Sequence, residues 1–227
     1  MIGFFLFPFI IGIIYFIIGF FVYFADKKHF CHQTFLVYGL LAGLWSMALG
    51  FFNIWGEKNF IWIDFIGLVT IFLPMFVFFL AYNFPKAESI MSKKLEIINW
   101  LVAISMFIFY GAFPRLFIKN VVVVDNLPIP QAGPLFLISI AYQAIYFIIA
   151  FVVIIRTLRK FTGRLRAEMI TVILGAFVAF TAVILIAAFF TLTQPERSFY
   201  WLSPAFALVG AITYVYILFK AESLDYS

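Results

Sequence analysis

Apolar residues run along the chain in seven blocks, near 2–24, 34–55, 60–83, 95–117, 134–155, 169–192 and 200–219, with charged and turn-forming residues gathered between them. At a rise of about 1.5 Å per residue, a helix of roughly 20 residues crosses about 30 Å of hydrocarbon, and each block is long enough to do so. The apolar character continues around every side of these helices, which suits lipid contact on one side and bundle burial on the other. Strands of a membrane barrel would be shorter and would alternate. The pattern therefore predicts an all-α membrane protein, one seven-transmembrane helix bundle over residues 1–227. The first block is longer than a signal-peptide core, has no basic segment before it and shows no small-residue cleavage site, so it is read as a helix of the bundle.

Composition sharpens this picture. Of 227 residues, 66% are hydrophobic and 11% charged, a balance that water-soluble domains do not have, and the connections leave no room for one of ordinary size. The net charge of +5 is a topological signal here rather than a sign of nucleic-acid binding, because basic residues are retained on the cytoplasmic side of membrane spans. With the amino terminus placed outside, the cytoplasmic connections hold Lys27, Lys28, Lys86, Lys93, Lys94, Arg156, Arg159, Lys160, Arg164, Arg166 and Lys220. The outer ones hold only Lys58, Arg115, Lys119 and Arg197. That asymmetry predicts an outside amino terminus and a cytoplasmic carboxy terminus in a cytoplasmic (inner) membrane, with membrane lipid as the surrounding partner. The single Cys31 excludes an internal disulfide.

Several patterns speak to packing. Gly39 and Gly43 form a GxxxG pair in the second helix, and Ser46 and Gly50 continue a small-residue stripe beside Ala42. Small residues at this spacing let backbones approach closely, either inside the bundle or between two copies in a homodimer. Pro74, Pro114 and Pro204 lie within or near helix ends, where the missing N–H kinks a span or frees a carbonyl. The connection over 118–133, with four valines before Asp125 and Asn126 and two prolines after them, reads as a hairpin or cap on the outer side. The five tryptophans and eleven tyrosines read mostly as interfacial belts.

Ionisable groups inside the apolar blocks are few, and a charge deep in hydrocarbon costs about 2.5–3.5 kcal/mol on insertion scales, so each needs a reason. Asp64 lies about a turn into helix three and Arg115 close to the outer end of helix four, at similar depth. They are placed to pair, or to receive a polar ligand together with the amides of Asn53 and Gln143 in the same outer half; interfacial snorkelling is the competing explanation. His29, Cys31 and His32 crowd one connection but lack a fourth donor and zinc-type spacing, so they read as a solvated loop and no metal is expected. The basic connection RTLRKFTGRLRAE over 156–168 fits topology, anionic lipid contact or a cytoplasmic partner.

Chemistry leaves little trace. The last helix has no central lysine to carry a retinal, HExxH, GxSxG and nucleotide-loop motifs are absent, and no carboxylate pair lies within the spans. No catalytic residue and no cofactor are expected.

A series of landmarks in order carries a resemblance. They are LLAGLWSMALGFF around Trp45, FIWIDFIGLVTIFLPMFVFFLAY with Pro74 and Phe78, GPLF opening helix five ahead of Tyr142, IIRTLRKFTGRLRAEMITVILG leading into helix six, and the closing WLSPAFALVGAITYVYILFK. Over residues 35–220 the chain resembles the seven-transmembrane sensor region at the amino terminus of certain bacterial histidine kinases. Helix six of that family tends to carry a proline, and 174–184 has none. The resemblance implies a membrane signal-sensing domain that detects an external or membrane-borne ligand and relays a helix shift. Only seven residues follow Lys220, so the output is expected to come from a cytoplasmic histidine kinase or other partner, or from a further carboxy-terminal extension. A small solute transporter and a structural membrane subunit are the alternatives.

The predicted topology has a direct test. Alkaline phosphatase fused after Leu224 should be inactive and green fluorescent protein at the same point should fluoresce, while external protease should spare the connection between helices five and six.

Overall fold

A computed structural model of the chain describes residues 2–55, 60–84, 86, 88–124, 127–159, 170, 173–174, 177, 181 and 203–225. The elements in chain order are α1 (Ile2–Ala25), α2 (Phe30–Trp55), α3 (Ile61–Asn83), α4 (Lys93–Ala112), the single turn α5 (Pro114–Phe117), β1 (Ile118–Val124), β2 (Leu127–Ala132), α6 (Phe136–Leu158) and α7 (Ser203–Asp225). Six helices among the described residues are long and apolar enough to cross a membrane. Most of the predicted block 169–192, with most of its proline-free stretch and of the connection over 156–168, lies outside the described residues.

α2 packs between α1 and α3, and α3 in turn meets α4 and α6, while α1 also touches α7. The outward faces of α1 and α4 remain apolar, with Ile10, Ile17, Phe21, Leu101 and Ile108 exposed. In lipid such faces need no cover, because hydrocarbon is as good a neighbour for them as another helix.

The α1–α2 contact explains the glycines. A Cβ added to Gly39 would lie 3.1 Å from the Tyr15 carbonyl oxygen and 3.2 Å from the Gly19 Cα, and one on Gly43 or Gly50 would strike the rings of Phe16 and Phe9. Ser46 completes the stripe by donating its Oγ–H to the Pro8 carbonyl at 2.7 Å. All four small residues face α1 of the same chain. Their backbones come close because nothing projects between them, which gains dispersion contact where no hydrophobic drive separates helices from lipid.

Tyrosine hydroxyls join the remaining helices. Pro74 lacks the N–H that would bond within α3, and beside it the Tyr142 O–H of α6 donates to the Ile71 carbonyl at 2.9 Å. Tyr146 donates to Asn99 Oδ1 of α4 at 2.9 Å, Tyr214 of α7 to the Leu80 carbonyl at 3.2 Å, and Tyr15 of α1 to the Pro204 carbonyl at 3.3 Å. Tyr15, Tyr38, Tyr110, Tyr142 and Tyr146, and Trp45 with them, are buried. The belt assignment is therefore wrong for these residues: inside the bundle their rings fill space, and the hydroxyls of Tyr15, Tyr142 and Tyr146 find acceptors within the protein.

Two boundaries also depart from the sequence reading. Helix two starts at Phe30 rather than near 34, so Cys31 and His32 lie in its first turn, and both are buried with His29 rather than solvated. His29 Nδ1 accepts the Cys31 N–H at 3.2 Å, the Cys31 thiol points at the Lys86 carbonyl at 3.6 Å, and the His32 ring contacts Phe219 of α7. In the same turn Asp26 accepts the Lys28 N–H, which holds its carboxyl below the ordinary aspartate range. Helix four stops at Ala112 rather than 117, because Pro114 disfavours helical backbone at Phe113, whose φ of −132° and ψ of 51° leave the helix.

Past that break, β1 and β2 form an antiparallel hairpin with Val122 opposite Ile129 and Val124 opposite Leu127, and an irregularity between Ile118 and Asn120. The hairpin returns to the bundle through Gly133. Its N–H donates to the Phe117 carbonyl at 2.7 Å, and an added Cβ would sit 2.3 Å from the Leu116 carbonyl oxygen, so only glycine fits. At the other end of α3, the buried Asn83 fixes the connection to α4, its Oδ1 accepting from Ile90 N–H at 2.8 Å and Ser89 O–H at 3.1 Å.

Gly39→Leu and Gly43→Leu should each cost about 1–3 kcal/mol by forcing α1 away from α2. Leu44→Ala, on an exposed face, should leave the thermal midpoint of the detergent-solubilised protein nearly unchanged. Equal midpoints for all three variants would contradict the packing described.

Candidate functional site

The break after α4 creates the one concentration of ionic chemistry among the described residues within the spans. Asp64 occupies the first turn of α3, where the unpaired N–H groups of a helix start favour an acid. Arg115 does not extend α4 but lies on the separate turn α5, and this brings its guanidinium back over α3. Its Nη2 pairs with Asp64 Oδ2. The guanidinium carbon sits 4.3 Å from the centroid of the Phe60 ring, and Nη1 reaches the Ile118 carbonyl at 3.5 Å. Arg115 is thus boxed between an aromatic face, a carboxylate and the start of the hairpin.

Tyr110 forms the floor. It lies in the last turn of α4, only 3% exposed, with its ring 4.8 Å from that of Phe117. Its hydroxyl occupies the space over Gly67, where a Cβ would lie 2.0 Å from the oxygen. Gly67 is three residues after Asp64, so the two share one face of α3. Two buried atoms here have no hydrogen-bond partner, Asp64 Oδ1 and the Tyr110 hydroxyl. Native proteins rarely leave such groups unsatisfied, since each forfeits its hydration without replacement. At side-chain exposures of 26% and 42%, Asp64 and Arg115 are open to the outside of the bundle, and the two unsatisfied oxygens lie buried beneath them.

Chemically the arrangement combines a neutralised ion pair with one free carboxylate acceptor and one hydroxyl that both donates and accepts. It selects by hydrogen bonding rather than by net charge. The structure brings together two of the four residues singled out from sequence. Asn53 is buried near the end of α2 and Gln143 is half-buried on α6, and neither bonds to the Asp64–Arg115 pair. Tyr110 and Phe60 were missed. Gly67 beneath an outer-end acid was the available sign that something large lies against that face. Among the described residues no group of His, Cys, Asp or Glu is placed to hold a metal ion.

A family model described as the N-terminal 7TM region of histidine kinase matches residues 7–226. The chain belongs to that family, and is a multi-pass membrane protein. No curated protein and no solved structure matches it.

Partial exposure limits the strength of the ion pair. A double-mutant cycle of Asp64→Asn and Arg115→Gln should give a coupling of about 0.2–1 kcal/mol that shrinks as salt is added. A larger, salt-independent coupling would show that the pair is sealed from solvent.

Proposed function

We propose that this chain is the sensing region of a membrane receptor, and that the end of the bundle carrying the hairpin receives a small polar ligand. The observation that carries the reading is the pair of unsatisfied oxygens, Asp64 Oδ1 and the Tyr110 hydroxyl, beside an arginine whose own charge is already balanced. A molecule with a hydroxyl that reaches beneath Arg115 satisfies both, donating to the carboxylate and accepting from the tyrosine. Membership of a family of kinase input regions supports a sensing role.

In this proposal all seven blocks cross the inner membrane, the amino terminus and hairpin lie outside, and the carboxy-terminal end of α7 lies in the cytoplasm. The distribution of lysine and arginine supports that orientation. The chain performs no catalysis itself; a histidine kinase, as a partner or in continuous chain, supplies the output. A ligand moves the equilibrium only if it binds one bundle arrangement better than the other. The route from the site to the output end runs along α3, whose Leu80 carbonyl takes the Tyr214 hydroxyl of α7.

The test combines stability with signalling. In cells carrying the receptor and its kinase, Asp64→Asn, Arg115→Gln and Tyr110→Phe should each reduce signal-dependent phosphorylation by about tenfold, a loss of about 1.4 kcal/mol of ligand affinity at limiting signal. Tyr110→Phe should do so without lowering the thermal midpoint, because its hydroxyl has no partner to lose. Undiminished responses in all three variants would remove this end of the bundle as the ligand site.

A further inference from the structure

A second cavity lies at the opposite end of the bundle, among α2, α3, α6 and α7. Its volume is about 90 Å³, too little for a whole small molecule but room for a few methylene groups of a chain that continues outside it. Phe35, Ala81, Ala150, Phe151, Ala211 and Ile217 are among its walls. Among the described residues no charged side chain lines it, and the Tyr214 hydroxyl at its edge is already given to the Leu80 carbonyl. Water gains nothing in such a space, and an apolar cavity takes hydrocarbon instead. Phe147, Phe151 and Phe177 in the wall are only half-buried, so the space is reachable from the surrounding lipid.

The charges at this end determine which lipid fits. Lys220 follows the wall residue Ile217 by three positions on α7 and so shares its face, whereas Arg156, two positions after Ile154, lies on the far side of α6. Lys86 and Arg159 are exposed at the same end. Apolar depth beneath a basic rim complements a long hydrocarbon tail joined to an anionic head. We infer that this cavity seats a segment of one acyl chain of an anionic phospholipid from the adjoining leaflet, with its headgroup phosphate held at the Lys220 end. Because α7 forms part of the wall, an occupied cavity fixes the position of the helix that leads to the output.

The site is independent of Asp64 and Arg115, and so is its test. The intact chain is placed in phosphatidylcholine nanodiscs containing a little phosphatidylglycerol whose acyl chain ends in a photoreactive diazirine, and adducts are mapped by mass spectrometry after irradiation. They should concentrate on 147–154 and 210–217 above the level on the outward face of α1 at Ile10, Ile17 and Phe21. Ala211→Phe should reduce the cavity adducts by about tenfold and leave those on α1 unchanged. If that variant folds poorly, Ala150→Leu fills the space from the α6 wall, and the wild-type adduct map decides on its own. Adducts spread evenly over lipid-facing residues, or unaffected by filling the cavity, would overturn the acyl-chain site. Equal labelling by the phosphatidylcholine analogue would overturn the requirement for an anionic head.

Discussion

Hydrocarbon offers no partner for a backbone N–H or C=O, and this constraint governs the whole molecule. It dictates the long helices and decides how they may be joined. A side-chain hydroxyl buried between helices needs an acceptor from within the protein, and among the described residues the Tyr110 hydroxyl is left without one. Here the acceptor is repeatedly a backbone carbonyl of a neighbouring helix: Pro8 for Ser46, Ile71 for Tyr142, Leu80 for Tyr214 and Pro204 for Tyr15. Such bonds average only about 0.6 kcal/mol each, so they hold register more than they supply stability. Their value lies in direction, since a ring that fills space and a hydroxyl that must land on one oxygen together permit few alternative rotations of the helix.

The same constraint explains where irregular backbone is found. Among the described residues, strand and broken turn appear only at one end of the bundle, where α4 stops, α5 makes a single turn and the chain folds into a hairpin that pairs with itself. Ending α4 at Phe113 matters more for chemistry than for shape. An arginine two residues further along an unbroken helix would have projected at the lipid interface as an isolated cation. On its own turn it folds back over Phe60 and Asp64, and the exposed charge becomes one half of a pair.

The two ends of the bundle consequently differ in kind. One is polar, neutral overall and short of hydrogen-bond partners. The other joins an apolar hollow to a basic rim. α3 runs from the first to the second, with Asp64 and Gly67 near its start and Leu80 and Ala81 near its finish, and it touches α2, α4 and α6 on the way. A shift of this one helix is therefore felt at both sites.

Hydrophobic runs, basic asymmetry and glycine spacing were legible from the sequence because each depends on residue type and interval alone. They gave the helical class, most helix positions and the small-residue stripe of α2. The turn chemistry of 118–133 likewise announced its hairpin. What the sequence left open were questions of azimuth and reach. Whether Gly39 and Gly43 face another helix or another molecule depends on how α1 is rotated. The burial of His32 and Tyr142 depends on neighbours far away in the chain. The partnership of Asp64 with Arg115 needed a proline-induced break to aim it, and the contribution of Tyr110 needed α4 to lie against Gly67. Composition and period determine which solvent a segment belongs in; only packed helices decide which side chains meet, because contact depends on rotation and separation that no single segment contains.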